Sequence, residues 1–237
     1  MNKAIIVGAS SGIGRELAKE MSNDGIELGI MARRQNKLNE LQKELPNQSH
    51  IQTMDVSQPA DACEKLGTLI EAMDGMDCIV LNAGLGDSKP SFEKTMQIID
   101  INIKGFVALG NYTYDYFANQ GGGHIVGVSS VAAHRGARVA TVYGASKAFI
   151  TNWMEGSRAH AQKKKYNINV TDIRPGFVYT DMTKDNKGMF WVASAEKAAE
   201  QIYKAIRKKK EVAYITKRWG LIAGLMKAIP RKIAKRL

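Results

Sequence analysis

The sequence has few cysteines and histidines, and neither residue type is spaced like a set of metal ligands. Among its 237 residues the only cysteines are Cys63 and Cys78, too few for the disulfide framework of a small secreted domain. The four histidines are scattered along the chain, at His50, His124, His134 and His160. We therefore predict no metal site and a reduced, cytoplasmic setting.

Long apolar runs are also missing. No stretch approaches the roughly 18 consecutive apolar residues of a membrane-spanning helix. The first apolar run ends at Val7 and is followed by glycine and serine, which indicates a strand rather than a signal peptide. With 44% hydrophobic residues the chain can still bury the core of one ordinary domain.

Acidic residues are scarce at only one end of the chain. The formal net charge is +11, and residues 204–237 contain twelve Lys and Arg against the single acid Glu211. The rest of the chain therefore carries equal numbers of basic and acidic residues. We treat the basic end as a separate feature.

Short β-rich segments alternate with longer helical ones. The predicted strands are residues 3–8, 26–32, 50–54, 77–84, 124–130, 168–176 and 211–215. The predicted helices are residues 13–23, 34–45, 58–73, 91–118, 142–165 and 194–209. Such alternation favours parallel pairing with right-handed crossovers. It predicts a Rossmann-type α/β fold, a doubly wound parallel sheet of about seven strands with helices on both faces.

A glycine-rich turn follows the first predicted strand and opens the first helix. In this turn Gly8 permits a tight bend, Gly12 lets the backbone approach a pyrophosphate, and Gly14 allows the helix to pack closely on the strand. Amides at the helix N-terminus would then face the phosphates. This context predicts a dinucleotide site, and a merely structural glycine turn is the alternative.

The end of the second strand bears on which dinucleotide is bound. NAD-binding proteins usually place an acid there, against the ribose 2′-hydroxyl. This chain has Ala32 at that position, followed by Arg33 and Arg34. Because arginine offers charge-assisted hydrogen bonds to a 2′-phosphate, we predict NADP(H). The alternative is that both arginines are surface residues at the start of a helix.

The segment YGASK places Tyr143 and Lys147 one helical turn apart, so that both side chains leave the same face of a helix. The three residues between them are small enough to let another group approach closely. Taken alone, the pair is more typical of a Tyr and a Lys that share a solvated helix surface.

Seven motifs, in order along the chain, resemble those of the short-chain dehydrogenase/reductase family over essentially residues 1–215. They are GASSGIG (8–14), Asp55-Val56, NAG (82–84), Asn102, Ser130, YGASK (143–147) and PGFVYT (175–180). The chain departs from the family pattern at Val7, where threonine is usual, and at Leu81, where asparagine is frequent. These two departures concern only local hydrogen bonding in the loops.

The resemblance implies catalytic roles for four residues. Tyr143 would protonate the substrate oxygen, and Lys147 would lower the pKa of that phenol from its ordinary value of about 10. Ser130 would hydrogen-bond the same oxygen, while strand alternation turns its neighbour Ser129 the other way. Asn102 would hold a water that relays protons toward the lysine.

The resemblance also implies the contacts to the cofactor. These are Gly8, Ser10, Ser11, Gly12, Ile13, Gly14, Arg33, Arg34, Asp55, Val56, Asn82, Ala83, Gly84, Tyr143, Lys147, Pro175, Gly176, Val178 and Thr180. Residues 181–193 would form a lid over the substrate.

The predicted substrate contacts are Ser130 and four apolar side chains of the lid, Met182, Met189, Phe190 and Trp191. An apolar lid indicates a hydrophobic substrate. Alternatively, these side chains cover the core or a subunit contact. We expect Arg135 and Arg138 to lie in solvent rather than against an anionic substrate.

We assign residues 1–215 to one dinucleotide-binding and catalytic domain and residues 216–237 to a basic amphipathic extension. Helical spacing places six apolar residues on one face, Ile222, Leu225, Met226, Ile229, Ile233 and Leu237. It places Lys227, Arg231 and Lys235 opposite, with a break at Pro230.

Three interpretations of the extension stay open. It packs on the body, lies on an anionic membrane surface as a peripheral contact, or binds nucleic acid. The last is the weakest, because Trp219 is the only aromatic residue among the final basic residues, and we predict no nucleic-acid partner. We expect a homo-oligomer, dimer or tetramer.

Together these features predict an NADPH-dependent oxidoreductase that reduces a small-molecule carbonyl to an alcohol by hydride transfer, with Tyr143 as acid/base. An NAD-dependent alcohol dehydrogenase is one alternative. A non-catalytic NADP(H)-binding sensor or scaffold is another, although such a protein would be expected to lose Tyr143 or Lys147. No residue identifies the substrate or the physiological direction.

Overall fold

A seven-stranded parallel sheet forms the centre of the molecule. The computed structural model describes residues 1–136 and 138–230, so the predicted tail residues Arg231, Ile233, Lys235 and Leu237 lie outside the described residues. The strand order is β3-β2-β1-β4-β5-β6-β7, and every neighbouring pair is parallel. The strands are β1 (Lys3–Val7), β2 (Glu27–Ala32), β3 (Ser49–Thr53), β4 (Cys78–Leu81), β5 (Gly123–Val128), β6 (Ile168–Pro175) and β7 (Val212–Ile215).

Helices connect successive strands and cover both faces of the sheet. They are α1 (Gly12–Asn23), α2 (Gln35–Glu44), α3 (Pro59–Ala72), α4 (Phe92–Ile99), α5 (Phe106–Gln120), α6 (Thr141–Lys164), α7 (Ala195–Arg207) and α8 (Trp219–Ala228). The predicted doubly wound α/β fold is confirmed. The helix predicted over residues 91–118 is instead divided into α4, a π-helical segment (Asp100–Gly105) and α5.

The two faces of the sheet bury separate hydrophobic clusters. Ile5 and Ile6 are neighbours on β1, both are fully buried, and they point into different clusters. One cluster includes Leu17 from α1 and Ile202 from α7, and the other includes Phe117 from α5. Strands covered on both sides must be apolar at nearly every position, which is why their sequences lack a polar alternation.

The order of the strands determines where a crevice opens. The connection from β3 crosses over to β4, on the far side of β1, so the chain reverses direction across the sheet at β1 and β4. Loops that leave the carboxyl ends of these two strands diverge, and ligands of doubly wound sheets bind at this point.

Helix α8 packs one face against the loop that follows β6. The Trp219 side chain is only 4% exposed, and its ring centroid lies 5.6 Å from Phe177, 5.0 Å from Phe190 and 5.9 Å from Trp191. A Cβ atom at Gly176 would lie 2.1 Å from the indole, so only glycine permits this contact.

The far end of α8 is also attached to the body. The Arg135 guanidinium donates hydrogen bonds to the carbonyl oxygens of Met226, at 2.6 Å, and Ile229, at 2.5 Å. A cation that binds the last carbonyls of a helix stabilises its C-terminus. The expectation that Arg135 lies in solvent is therefore wrong, whereas Arg138 is exposed as expected.

The apolar face predicted for the extension is only partly correct. Ile222 and Met226 are half-buried, but Leu225 is 59% exposed and Leu221 is 77% exposed. The helix turns Trp219 and Ala223 inward, which rotates Leu225 away from the body. No helix in the described part of the chain has both the length and the apolarity to cross a bilayer.

Replacing Trp219 by alanine tests whether the extension is part of the folded unit. We expect Trp219→Ala to lower the free energy of unfolding by about 3 kcal/mol, because it empties a buried site. Urea denaturation measures this change. Leu221→Ala, on the exposed side of the same helix, is the control and should change stability by less than about 0.5 kcal/mol. Equal effects of the two substitutions would contradict the packing of α8.

Candidate active site

A cavity of about 260 Å³ opens at the carboxyl edge of the sheet, between the loops that follow β1, β4, β5 and β6. Most of the predicted cofactor residues line it. They are Gly8, Ser10, Ser11, Gly12, Ile13, Arg33, Arg34, Val56, Asn82, Ala83, Gly84, Tyr143, Lys147, Pro175, Gly176, Val178 and Thr180. The fold thus brings residues from distant parts of the sequence to one wall.

The glycine-rich turn is held in a conformation that requires glycine. Gly8 and Gly12 have φ values of +88° and +56°, in the left-handed region that other residues rarely adopt. A Cβ atom on Gly14 would lie 2.2 Å from the Gly8 carbonyl oxygen, so this glycine allows α1 to meet the turn. Helix α1 begins after Ser11 without a side-chain cap, which leaves its first amides free to bind an anion.

Arg34 lies against this turn. Its Nη2 atom donates hydrogen bonds to the hydroxyl oxygens of Ser10, at 2.8 Å, and Ser11, at 2.7 Å. Arg33 is 62% exposed and lies 4.0 Å from the Asp55 carboxylate. Two guanidinium groups therefore line the end of the cavity where an NAD-binding protein would have an acid.

Tyr143 and Lys147 project from one face of α6 into the cavity, as the helical spacing predicts. The Lys147 Nζ atom lies 5.7 Å from the centre of the Tyr143 ring and donates a hydrogen bond of 2.9 Å to the Val128 carbonyl oxygen. The Ser130 hydroxyl, two residues after β5, lines the same cavity and donates a 3.4 Å hydrogen bond to the Pro175 carbonyl oxygen. A proton donor, a hydroxyl and an ammonium thus converge within one cavity.

Asn102 is fully buried in the π-helical segment and binds two other parts of the site. Its amide oxygen accepts a hydrogen bond from the Leu85 amide at 2.8 Å, and its Nδ2 atom donates to the Leu85 carbonyl oxygen at 2.8 Å and to the Ser146 hydroxyl at 2.9 Å. It therefore joins the loop after β4 to helix α6. A Cβ atom on Gly84 would lie 3.3 Å from Lys147 Nζ and 3.5 Å from Asn102 Oδ1, so both polar groups surround this glycine.

Burial governs the ionisation of the two residues on α6. It raises the pKa of Tyr143, and the Ser130 hydroxyl offsets part of that rise. That Lys147 lowers the pKa of Tyr143 stays a prediction. Burial lowers the pKa of Lys147 to about 8, while the negative charge of Asp172 acts in the opposite direction.

A buried ion pair that the sequence motifs did not predict lies behind the site. Asp172 and Arg174 lie on β6, their side chains are 1% and 9% exposed, and the carboxylate accepts a 2.7 Å hydrogen bond from Arg174 Nε. Ser129 donates a 2.5 Å hydrogen bond to the same carboxylate. This contact turns Ser129 away from Tyr143, as strand alternation predicts. In the sequence, the signal for this ion pair was the presence of two charged residues at alternate positions of an otherwise apolar strand.

The predicted substrate contacts separate into two groups. Ser130 and Met182 line the cavity, and a Cβ atom on Gly86 would touch both Tyr143 and the Met182 sulfur, at 3.2 and 3.3 Å. Met189, Phe190 and Trp191 are not among the described residues that line it. Phe190 and Trp191 instead contact Trp219, outside the cavity.

Two of the predicted cofactor residues do not reach the wall described above. Gly14 lies beneath the turn, where it permits close packing. Asp55 accepts hydrogen bonds from the amide and hydroxyl of Ser57, at 2.9 and 2.8 Å, and so shapes the turn after β3. Asn82, which does line the cavity, ties two loops together by donating a 3.0 Å hydrogen bond to the Gly8 carbonyl oxygen.

Comparison with known proteins agrees with this geometry. A model of the short chain dehydrogenase family matches residues 2–190. An oxidoreductase of Myxococcus xanthus is 32% identical over 241 residues, which cover 98% of this chain and 91% of the relative. A short-chain dehydrogenase from Sphingobium yanoikuyae in complex with NADPH has a TM-score of 0.81 at 22% identity, over 98% of this chain and 97% of that one. A 3-ketoacyl-(acyl-carrier-protein) reductase from Brucella melitensis complexed with NADH has a TM-score of 0.80 at 20% identity, over 90% and 95% of the two chains.

The ion pair behind the site predicts how Lys147 titrates. Because the charge of Asp172 raises the pKa of the Lys147 ammonium, the substitution Asp172→Asn should lower that pKa further. Selective ¹³C labelling of lysine and NMR titration of the folded variant measure it. Asp115→Asn, at an exposed position of α5, is the matched control and should leave Lys147 unchanged. A pKa that rises or stays constant in Asp172→Asn would contradict this electrostatic coupling.

Proposed function

Because the chain belongs to the short chain dehydrogenase family of oxidoreductases, we propose that it reduces a small-molecule carbonyl to an alcohol with NADP(H). The observation that carries this proposal is the convergence of Tyr143, Ser130 and Lys147 on a cavity whose other end is the glycine-rich turn.

The residues of the cavity fit a nicotinamide dinucleotide. When bound, this cofactor supplies the hydride that carbonyl reduction requires. The uncapped N-terminus of α1 and the close backbone at Gly12 suit a pyrophosphate, and a Cβ at Gly12 would come within 3.0 Å of the Thr180 side chain. At the other end, Lys147 and Tyr143 are available to the nicotinamide ribose.

The ionisation of the site supports reduction. Burial raises the pKa of Tyr143, so its phenol keeps its proton at neutral pH and can donate it to a carbonyl oxygen. The Ser130 hydroxyl, which lines the same cavity, would donate to the same oxygen as negative charge develops. Lys147 then stabilises the tyrosinate by its charge, at 5.7 Å from the ring. In this mechanism Asn102 positions Lys147 and α6 through Leu85 and Ser146.

The position of Arg34 supports NADP(H) rather than NAD(H). Ser10, Ser11 and Arg34 form a cluster of hydrogen-bond donors at the cavity end, and Arg33 is the exposed guanidinium beside it. A 2′-phosphate would replace the serine contacts of Arg34 with stronger charge-assisted bonds. The alternative is an NAD-dependent alcohol dehydrogenase, whose cofactor has no 2′-phosphate for this cluster to bind.

We further propose an apolar substrate, a cytoplasmic location and a homo-oligomeric state. Met182 supplies an apolar wall close to Tyr143. Members of the family act on small molecules and are often oligomeric, which supports the last point. A non-catalytic sensor is disfavoured because Tyr143, Lys147 and Ser130 are all present and in contact with one cavity.

Replacing Tyr143 by phenylalanine tests the proposed acid. We expect Tyr143→Phe to lower the rate of NADPH-dependent carbonyl reduction at least about a hundredfold, because the proton donor is removed. Consumption of NADPH with a panel of carbonyls of increasing chain length measures the rate. NADPH fluorescence should show that the cofactor still binds. Tyr166→Phe, at an exposed position just after the end of α6, is the control; equal rates in both variants would overturn the assignment.

Replacing Arg34 by alanine tests the choice of cofactor. Arg34→Ala should lower the affinity for NADPH about tenfold or more, the loss expected for a hydrogen bond to a charged group, and change the affinity for NADH little. Fluorescence titration gives both dissociation constants. Lys37→Ala, whose side chain pairs with the exposed Glu40, should alter neither. If the two affinities fall equally, Arg34 acts on the turn and does not select the cofactor.

A further inference from the structure

The outer face of α8 is apolar and exposed. Leu221 and Leu225 lie one turn apart on it, with 77% and 59% of their surface accessible. Lys227 is the only charged residue among the ten residues of α8. Since the inner face already packs on the body through Trp219, the outer face is left without a protein neighbour in the described chain. Exposed apolar patches of this kind mark surfaces that bind a partner.

The apolar surface continues onto the lid. Phe190 and Trp191 are 50% and 42% exposed, and both contact Trp219 at the start of α8. The Arg218 guanidinium lies 5.0 Å from the centre of the Trp191 ring. We call Phe190, Trp191, Leu221 and Leu225 the α8–lid surface. Amphipathic side chains such as tryptophan and arginine are those that sit at the level of lipid headgroups.

The charge of this end of the chain indicates which kind of partner the α8–lid surface binds. Residues 204–237 carry twelve basic side chains and one acid, two of the basic ones, Lys217 and Arg218, directly before α8 and four within residues 231–237. A second copy of the chain docked on the same surface would bring two such segments together, and like charges would oppose that contact. An anionic partner would gain from both the charge and the apolar side chains.

We propose that the α8–lid surface docks the protein on an anionic lipid bilayer. The leucines and the lid aromatics would enter the boundary between headgroups and acyl chains, while the basic residues beside them bind the headgroups. The surface of an anionic bilayer offers both apolar contacts and negatively charged groups.

The attachment of α8 determines how the protein would be oriented on the bilayer. Trp219 rests on Gly176, a residue that lines the cavity, and Arg135 ties the other end of the helix to the segment between Ser130 and Tyr143. Docking through α8 would therefore hold the lid side of the cavity at the lipid surface. An apolar carbonyl dissolved in the bilayer is then the substrate class to expect, and this last step alone rests on the proposed reductase function.

Vesicle binding by the full chain tests the docking without reference to activity. The probe is vesicles of phosphatidylcholine mixed with phosphatidylserine, compared with vesicles of phosphatidylcholine alone, and bound protein is measured by sedimentation. The variant is Leu221→Asp. Its matched control is Phe92→Asp, which places the same charge at a position of equal exposure, 77% against 76%, at the start of α4.

We expect binding to the anionic vesicles only, weakened by salt, as screening of exposed charges requires. Leu221→Asp should weaken it at least about tenfold, since the transfer of one leucine is lost and a charge is added, while Phe92→Asp should bind like the wild type. Absence of binding to anionic vesicles, or equal loss in the two variants, would overturn the proposal. So would a dimer, seen by analytical ultracentrifugation, that Leu221→Asp alone dissociates.

Discussion

The site depends on keeping one ammonium group charged inside the protein. Lys147 is only 4% exposed, and removing an ammonium from water strongly disfavours its charged form. The Val128 carbonyl accepts one of its hydrogen bonds, and the field of Asp172 offsets part of the desolvation. Arg174 neutralises the Asp172 carboxylate in turn, and it also donates a hydrogen bond to the Tyr214 hydroxyl at 3.2 Å. A chain of charges and hydrogen bonds on three adjacent strands thus supports this single buried lysine.

Helix α6 must be held against the sheet for this arrangement to work, and small residues make that possible. Ser146 is fully buried and receives a hydrogen bond from Asn102, which in turn binds the backbone of Leu85 in both directions. The π-helical segment supplies the local change of backbone geometry that places this asparagine, and such segments frequently occur at functional sites. The Asn102 side chain therefore fixes the position of the loop after β4 relative to helix α6, on either side of Gly84.

Much of the fold and most of the cavity wall were predictable, for a topological reason. Residues at the carboxyl ends of parallel strands meet at one edge, so motifs such as GASSGIG and YGASK specify a common location. The hydrogen bond from Ser129 to Asp172 was missed because only the pairing of β5 with β6 brings these residues together, whereas the two charges of the ion pair were visible at alternate positions of β6. The orientation of α8 was missed at Leu225, because the rotation of a short apolar helix is decided by what Trp219 meets rather than by its own periodicity.

The contact between Gly176 and Trp219 has an evolutionary consequence. A residue of the cavity wall and a residue of the C-terminal extension share one space, in which any side chain at position 176 would collide with the indole. Position 219 therefore constrains position 176, because a side chain at Gly176 can be accommodated only after the tryptophan has been replaced by a smaller residue. Among related sequences that keep both segments, we expect the residues at these two positions to covary.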